Sequence, residues 1–253
     1  MILLKSSREL EHMRTAGRIL AEVKARLKAL VRPGASTKDI DEDIEAFIVG
    51  KGAAPAFKGY RGYPATVCTS INEEVVHGIP SAKRKLKDGD IIGLDLGCIV
   101  GGYYGDCAVT LPVGTVPARV QELIDVTRES LDKAIVQCRV GNRIGDISHA
   151  VQMHCESHGF GVVRAFVGHG IGRALHEEPQ VPNFGDAGRG PALKAGMVLA
   201  IEPMVTMGSW EVQVLEDGWT AVTTDGSMAA HFEDTIAITE DGPDVLTRVT
   251  NGA

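Results

Sequence analysis

The sequence predicts an α+β fold made of two related halves, in which helices lie outside a central, curved antiparallel sheet. Three observations carry this prediction: an internal repeat, two pairs of amphipathic helices, and a group of strand-like runs after each pair. Short matches recur at a constant offset of 107 residues, as from Arg32 to Arg139 and from Asp95 to Glu202. A period of this length indicates a duplicated half-domain rather than a solenoid. We expect one domain over residues 1–253, with halves of about 1–114 and 115–253.

Each half begins with two predicted helices. Ser6 and Glu9 form a capping box before a run of apolar residues with helical period. Ser36 or Thr37 caps a second amphipathic helix, which a glycine closes. The second half repeats this order, with a break at Gly141 between its two helices. Runs rich in Val, Ile and Thr follow each helix pair and predict antiparallel strands.

Acidic residues occupy related positions in the strands of the two halves. Asp95 closes an apolar run, and Asp106 follows a glycine-rich turn predicted over Gly97 to Gly105. Glu202 and Glu233 hold the related positions in the second half. A carboxylate on a buried strand is costly unless it is compensated, and converging carboxylates repel one another. Divalent cations would remove both costs, so the four acids predict a metal site.

His169 is a fifth candidate ligand. It lies between glycines in the run Gly168–Gly172, where the backbone can approach a site closely and leave the imidazole room. A donor set of two Asp, two Glu and one His suits Mn, Fe, Co or Zn. Mg²⁺ is less well matched, because it usually keeps several waters.

Composition and charge exclude several classes of protein. With 253 residues and 44% hydrophobic content, the chain can bury a full core. A net charge of -7 argues against a nucleic-acid site, because phosphate binding requires a basic face. The five cysteines form no CxxC pair, which suits a reducing compartment. No run approaches the roughly 20 apolar residues of a membrane span. We expect a cytoplasmic protein that is a monomer.

Several longer motifs accompany these residues. They are Gly59-Tyr60-Arg61-Gly62-Tyr63-Pro64, Ser70-Ile71-Asn72-Glu73, Val76-His77-Gly78-Ile79-Pro80, Gly168-His169-Gly170-Ile171-Gly172, Leu175-His176-Glu177-Glu178-Pro179 and Ile201-Glu202-Pro203. With these motifs, the chain resembles the type I methionine aminopeptidases of the pita-bread metallopeptidase superfamily over essentially its whole length. The resemblance implies the pita-bread fold, a single catalytic domain, and removal of the initiator methionine when the second residue is small.

The resemblance also implies a ligand set for two divalent metal ions, Co, Mn, Fe or Zn. Asp95 and Asp106 hold one ion, His169 and Glu202 complete the other, and Asp106 and Glu233 bridge both. A hydroxide between the ions then attacks the scissile carbonyl.

Further roles follow from the same resemblance. Glu202 carries the proton from the water to the leaving amine, His176 stabilises the oxyanion, and His77 hydrogen-bonds the scissile amide nitrogen. The implied specificity pocket is narrow and apolar, and its residues are Phe57, Tyr60, Tyr63, Cys68 and Trp219. Phe57 stands where a cysteine is frequent, and Leu175 stands where an aromatic residue is usual. His231 replaces a common glutamine two residues before Glu233, and it is expected to donate a hydrogen bond near the site, not to bind metal.

Two alternatives stay open at this point. One is an Xaa-Pro aminopeptidase or prolidase on the same fold, and the other is a non-catalytic binding protein that has lost its ligands. The expected partners are peptides and nascent chains with N-terminal Met. A transient ribosome contact is expected through the basic run Lys83–Lys87.

Overall fold

Four helices and fifteen strands make up the described part of the chain, residues 1–248 of this computed structural model. The last five residues of the predicted second half lie outside it. The helices are α1 (Ser7–Leu30), α2 (Thr37–Gly50), α3 (Ala118–Val136) and α4 (Ile144–Ser157). The strands are β1 (Ala54–Pro55), β2 (Val67–Ile71), β3 (Glu74–Val76), β4 (Ile91–Val100), β5 (Tyr103–Pro112), β6 (Gly161–Val162), β7 (Gly168–Gly170), β8 (Glu177–Val181), β9 (Val198–Ile201), β10 (Met204–Thr206), β11 (Val212–Val214), β12 (Ala221–Thr223), β13 (Ala229–His231), β14 (Asp234–Thr239) and β15 (Gly242–Val245).

The predicted helix boundaries are confirmed. The backbone N–H of Ser6 donates to the Glu9 carboxylate at 2.8 Å, which is one half of the capping box at the start of α1. Ser36, not Thr37, caps α2, because its Oγ accepts from the backbone N–H of Asp39 at 3.1 Å. Gly141 adopts φ 99° between α3 and α4, a conformation that glycine allows without strain.

The first sheet has the order β1-β4-β2, with β5 paired to β4 in a long antiparallel hairpin. The turn of this hairpin lies at Gly101 and Gly102, so the predicted turn from Gly97 to Gly105 is wrong in extent. Both outer glycines are paired strand residues. A side chain on Gly105 would begin 3.2 Å from the Cβ of Ala16 on α1, so glycine there permits close packing and does not mark a turn.

The second sheet has the order β15-β14-β9-β7-β8, and all of its pairings are antiparallel. A β-bridge between Ala108 of β5 and Glu233, which directly precedes β14, joins this sheet to the first. Its two backbone hydrogen bonds measure 3.2 and 3.0 Å. Strands β10 to β13 are inserted between β9 and β14 and belong to two small sheets, β13-β10-β6 and β11-β12-β3. They account for the extra residues expected between Glu202 and Glu233.

Helices cover each of the two larger sheets. Apolar residues of α1 and α2 share one buried cluster with β4, and those of α3 and α4 share another with β9 and β14. The sequence order of two helices followed by strands thus occurs twice, although the division near residue 114 stays a prediction. None of the helices within residues 1–248 is long and apolar enough to cross a membrane.

Candidate metal centre and substrate cavity

Strand pairing brings the predicted metal ligands together. Asp95 lies in the middle of β4, opposite Ala108 of β5. Glu233 lies opposite the same Ala108 through the bridge between the two sheets. Asp106 stands two residues before Ala108 on β5, and His169 is at the centre of β7.

Four of the five predicted ligands have side chains that lie close to one another. The Nε2 atom of His169 lies 3.5 Å from Oε1 of Glu202 and 4.0 Å from Oδ2 of Asp106. Asp106, His169 and Glu233 each place a potential ligand atom within 4.8 Å of the other two. A second such group contains Glu202, His231 and Glu233.

Three of the carboxylates carry a buried oxygen with no hydrogen-bond donor among the described residues. These atoms are Oδ1 of Asp95, Oδ1 of Asp106 and Oε1 of Glu233. Leaving a buried carboxylate oxygen without a partner is strongly unfavourable, and buried charges are normally paired or bound to metal. The oxygen and imidazole donors present suit a borderline divalent cation. The residues therefore fit a divalent metal site.

Burial shapes the charge state of the cluster. It raises the pKa of Asp95 to about 7. Burial, followed by the charge of Asp95, raises the pKa of Asp106 well above its usual value. The same two causes, burial first and neighbouring carboxylates next, raise the pKa of Glu202 and of Glu233. The four groups therefore resist being ionised together unless a cation lies among them.

The histidine of the cluster is held in one tautomer. Nδ1 of His169 lies 2.9 Å from the backbone oxygen of Gly170, which can only accept, so Nδ1 carries the proton. Its Nε2 lone pair therefore points to the carboxylates. Burial, followed by the charge of His176, lowers the pKa of His169 to about 4. The imidazole is neutral near pH 7, which is the form that binds metals.

Two polar residues that the sequence analysis missed hold the ligands in place. Thr235 Oγ1 accepts from the backbone N–H of Asp106 at 3.0 Å and donates to the Asp106 carbonyl at 2.7 Å. The side-chain amide of Asn183 donates to the Glu202 carbonyl at 2.9 Å. A threonine in a strand and an asparagine in a loop carry no distinguishing sequence signal, so only the fold reveals these contacts.

A cavity of about 300 Å³ opens onto the carboxylates. Its lining contains every predicted site residue, namely Phe57, Tyr60, Tyr63, Cys68, His77, Asp95, Asp106, His169, His176, Glu202, Trp219 and Glu233. Arg61, Phe166 and Leu175 also line it. Phe166 was missed, although it lies only two residues before the Gly168 motif. Its ring packs edge-to-face on His77, with 5.5 Å between ring centroids.

The apolar part of the cavity is held by aromatic packing. Tyr63 is buried, and its hydroxyl donates to the backbone oxygen of Gly78 at 2.9 Å. Trp219 packs edge-on against Tyr63 with 5.1 Å between centroids. Burial raises the pKa of the Cys68 thiol well above its usual value, so Cys68 is protonated and forms a wall of the cavity. Leu175 belongs to the same apolar cluster.

Two further histidines face the cavity. Burial, followed by the charge of His176, lowers the pKa of His77 to about 4. His176 lies at the mouth and is exposed to solvent, yet desolvation by the cavity wall and the charge of Arg61 lower its pKa as well. Nδ1 of His176 lies 2.8 Å from the Tyr60 hydroxyl. Both histidines are therefore neutral near pH 7, and each has one N–H to donate.

The buried carboxylates predict a pH-dependent stability for the metal-free protein. Their folded pKa values are raised, so their stabilising contribution is complete below their unfolded pKa values and is lost as the pH rises through the folded ones. The buried histidines have lowered pKa values, so their contribution makes the stability rise with pH. This contribution changes only below their unfolded pKa of about 6.5. Between about pH 6.5 and 8.5 the carboxylates decide the slope, at about 1.4 kcal/mol per pH unit for each extra proton bound by the folded state.

We therefore expect the melting temperature of chelator-treated protein to fall from pH 6.5 to 8.5. Mn²⁺ should restore it, and Asp106→Asn should flatten the decline by removing one of the repelling charges. Thermal unfolding followed by circular dichroism measures this. A melting temperature that stays level or rises over this interval would show that the carboxylates are not mutually strained.

Comparisons with known proteins agree with this arrangement. Residues 11–240 match metallopeptidase family M24. Methionine aminopeptidase 1 of Bacillus subtilis is 53% identical over 249 residues, covering 98% of this chain and 100% of that protein.

Solved structures show the same relationship. The crystal structure of a methionine aminopeptidase from Thermotoga maritima matches with a TM-score of 0.97 and 49% identity, covering 98% of this chain and 100% of that one. The prolidase from Pyrococcus horikoshii matches with a TM-score of 0.79 and 23% identity, covering 99% of this chain and 65% of that one, and so shares the fold. The predicted pita-bread fold is confirmed. The chain belongs to metallopeptidase family M24 and, within that family, to the methionine aminopeptidases.

Proposed function

We propose that this protein removes the N-terminal methionine from peptides and nascent proteins whose second residue is small. The observation that carries the proposal is the cluster of four carboxylates and one histidine that lines a cavity of about 300 Å³ together with apolar residues. The high identity to proteins named methionine aminopeptidases along nearly the whole chain supports it.

The ligand set that we propose holds two divalent ions. Asp106 and Glu233 would be shared by the two ions, Asp95 would add to the donors of one, and His169 and Glu202 would add to those of the other. Co, Mn, Fe or Zn suits this mixture of oxygen and nitrogen donors. When bound, such ions make a water nucleophilic near pH 7 and polarise the scissile carbonyl.

Glu202 is the proposed proton carrier. It directly follows β9, and its carboxylate lines the cavity with one oxygen 3.5 Å from His169. From this position, Glu202 can take a proton from the attacking water and return it to the leaving amine. The hydrogen bond from Asn183 to its backbone carbonyl keeps this residue in place.

The two cavity histidines supply hydrogen bonds to the substrate. A tyrosine hydroxyl that donates to Nδ1 of His176 leaves the proton on Nε2, which can then donate to the developing oxyanion. We propose that Tyr60 donates in this way and so selects the tautomer that the reaction requires. His77 lies between Phe166 and Trp219, where its N–H can reach the scissile amide.

The apolar cavity accepts the methionine side chain. Phe57 and Leu175 both line this cavity and belong to its apolar cluster, which suits an unbranched thioether. The second residue of the substrate lies beyond this pocket, where a tight cleft excludes bulky side chains.

The Xaa-Pro alternative is not favoured. Identity to methionine aminopeptidases is about twice that to the prolidase, which shares the fold alone. A non-catalytic role is not favoured either, because the chain retains all five proposed ligands.

We also propose a cytoplasmic monomer that contacts the ribosome transiently. Lys83, Lys85 and Lys87 are exposed, whereas Arg84 turns inward to Glu74 at 2.5 Å. These three lysines form a small surface patch that we propose binds phosphate groups of the ribosome. Cosedimentation with ribosomes at increasing salt concentration tests this contact.

Peptide hydrolysis tests the proposed reaction. Chelator-stripped protein should be supplied with Mn²⁺, Fe²⁺, Co²⁺ or Zn²⁺ and given Met-Ala-Ser or Ala-Pro-Ala. We expect metal-dependent release of Met from the first peptide only. Glu202→Gln should lower kcat by about 10²–10⁴, because general acid–base catalysis contributes about that factor.

Controls separate the possible failures. His158→Gln, on an exposed residue at the end of α4, should leave the rate unchanged. Release of Ala from the proline peptide would assign the protein to the prolidase activity. Failure to cleave either peptide with every metal would contradict an enzymatic function.

Replacement of Tyr60 by phenylalanine tests the proposed tautomer control. The variant keeps the ring that stacks near His176 but removes the hydroxyl that lies 2.8 Å from Nδ1. We expect kcat to fall by about 10-fold, while KM for Met-Ala-Ser changes little, since the proposed hydrogen bond acts on the oxyanion. A rise in KM with unchanged kcat would instead show that Tyr60 serves only in binding.

A further inference from the structure

The imidazole of His231 lies at the metal centre. From the sequence, His231 is expected to donate a hydrogen bond there and not to bind metal. Its Nε2 atom is buried, makes no hydrogen bond among the described residues, and lies 3.7 Å from Oε2 of Glu202. We propose that His231 is a sixth metal ligand, binding through Nε2 the ion that Glu202 and Glu233 hold. This inference deepens the proposed function and rests on its metal site.

The position of Glu202 between two histidines supports direct ligation. One oxygen of Glu202 faces Nε2 of His169 at 3.5 Å, and the other faces Nε2 of His231 at 3.7 Å. Two atoms bound to one zinc ion at about 2.0–2.2 Å lie roughly 3–3.5 Å apart. The distance from Nε2 of His231 to Oε2 of Glu202 is thus close to that expected for two ligands of one ion, and it exceeds the range of a good hydrogen bond.

His231, Glu202 and Glu233 also satisfy the spatial requirement for one ion. Each offers a ligand atom, and all three atoms lie within 4.8 Å of one another. Glu233 belongs both to this group and to the group of Asp106 and His169. The shared Glu233 places His231 beside the ion that His169 and Glu202 are proposed to hold.

The backbone of His231 is held firmly enough to present a ligand. Its N–H donates to Oγ1 of Thr110 at 2.9 Å, and its carbonyl accepts from the same hydroxyl at 2.9 Å. The residue also pairs with Met204 in the β10–β13 ladder, which places it beside Glu202. Only 2% of His231 is exposed, so solvent does not supply its partner.

A second imidazole would change which metal the site prefers. Nitrogen donors favour Co, Fe and Zn, whereas oxygen donors favour Mn and Mg. The glutamine common at this position in related enzymes offers an amide instead. We therefore expect this chain to discriminate more strongly in favour of Co²⁺ and Zn²⁺ over Mn²⁺ than its His231→Gln variant does.

Proton NMR of the Co²⁺-loaded protein tests the assignment. A histidine bound to Co²⁺ gives a strongly shifted, exchangeable imidazole N–H signal. We expect two such signals, of which His231→Gln removes one and His169→Gln removes the other. His158→Gln, on an exposed surface residue, should retain both. Calorimetric titration should show that His231→Gln weakens Co²⁺ binding by at least about 10-fold, a loss comparable to that of removing a residue supporting a metal ligand, with a smaller effect on Mn²⁺.

The possible outcomes are distinct. One shifted signal that only His169→Gln abolishes, together with unchanged Co²⁺ affinity in His231→Gln, would overturn the ligand assignment and leave the five-ligand site intact. Absence of Co²⁺ binding in every variant would overturn the metal site itself. Because glutamine is common at this position, His231→Gln is expected to fold, and its circular dichroism spectrum checks this.

Discussion

Four carboxylates buried around one cavity are the constraint on which this structure depends. Asp106 and Glu233 are almost inaccessible to water, and each has an oxygen with no partner among the described residues. A folded state that kept all four groups charged and uncompensated would be strongly destabilised. Divalent cations bound among the carboxylates would neutralise their charges and remove this cost. The same cations would supply the chemistry of peptide hydrolysis.

The fold serves this centre by bringing two halves of the chain to a single strand. Asp95 and Glu233 lie on opposite sides of β5, and both are paired with Ala108. Each half supplies two acids, so neither half could form the cluster alone. Tyr63 and Trp219 line the same cavity as the acids. In the proposed function, the acids perform the chemistry and the apolar lining selects the side chain.

The sequence predicts much of this arrangement because its signals are local or repeated. Helix caps such as Ser6 are short-range features, and the repeat links Asp95 to Glu202 without any knowledge of the fold. The roles of the two cavity histidines came from resemblance, not from spacing. The predicted turn from Gly97 to Gly105 failed because a glycine can serve close packing as well as a turn, and sequence alone does not distinguish the two uses.

Contacts between distant segments could not be predicted. Thr235 holds Asp106 from 129 residues away, and nothing in either local sequence marks the pair. The approach of His231 to Glu202 depends on the β10–β13 pairing, which is an insertion outside the internal repeat. Such residues hold the side chains of the centre in position. Their contacts can be identified only from the assembled strands.

Anomalous diffraction from crystals soaked in Zn²⁺ would test the central claim most directly. The account predicts two strong peaks, each within about 2.0–2.2 Å of a carboxylate oxygen of both Asp106 and Glu233. A single peak outside the cavity, or none near these two residues, would contradict it.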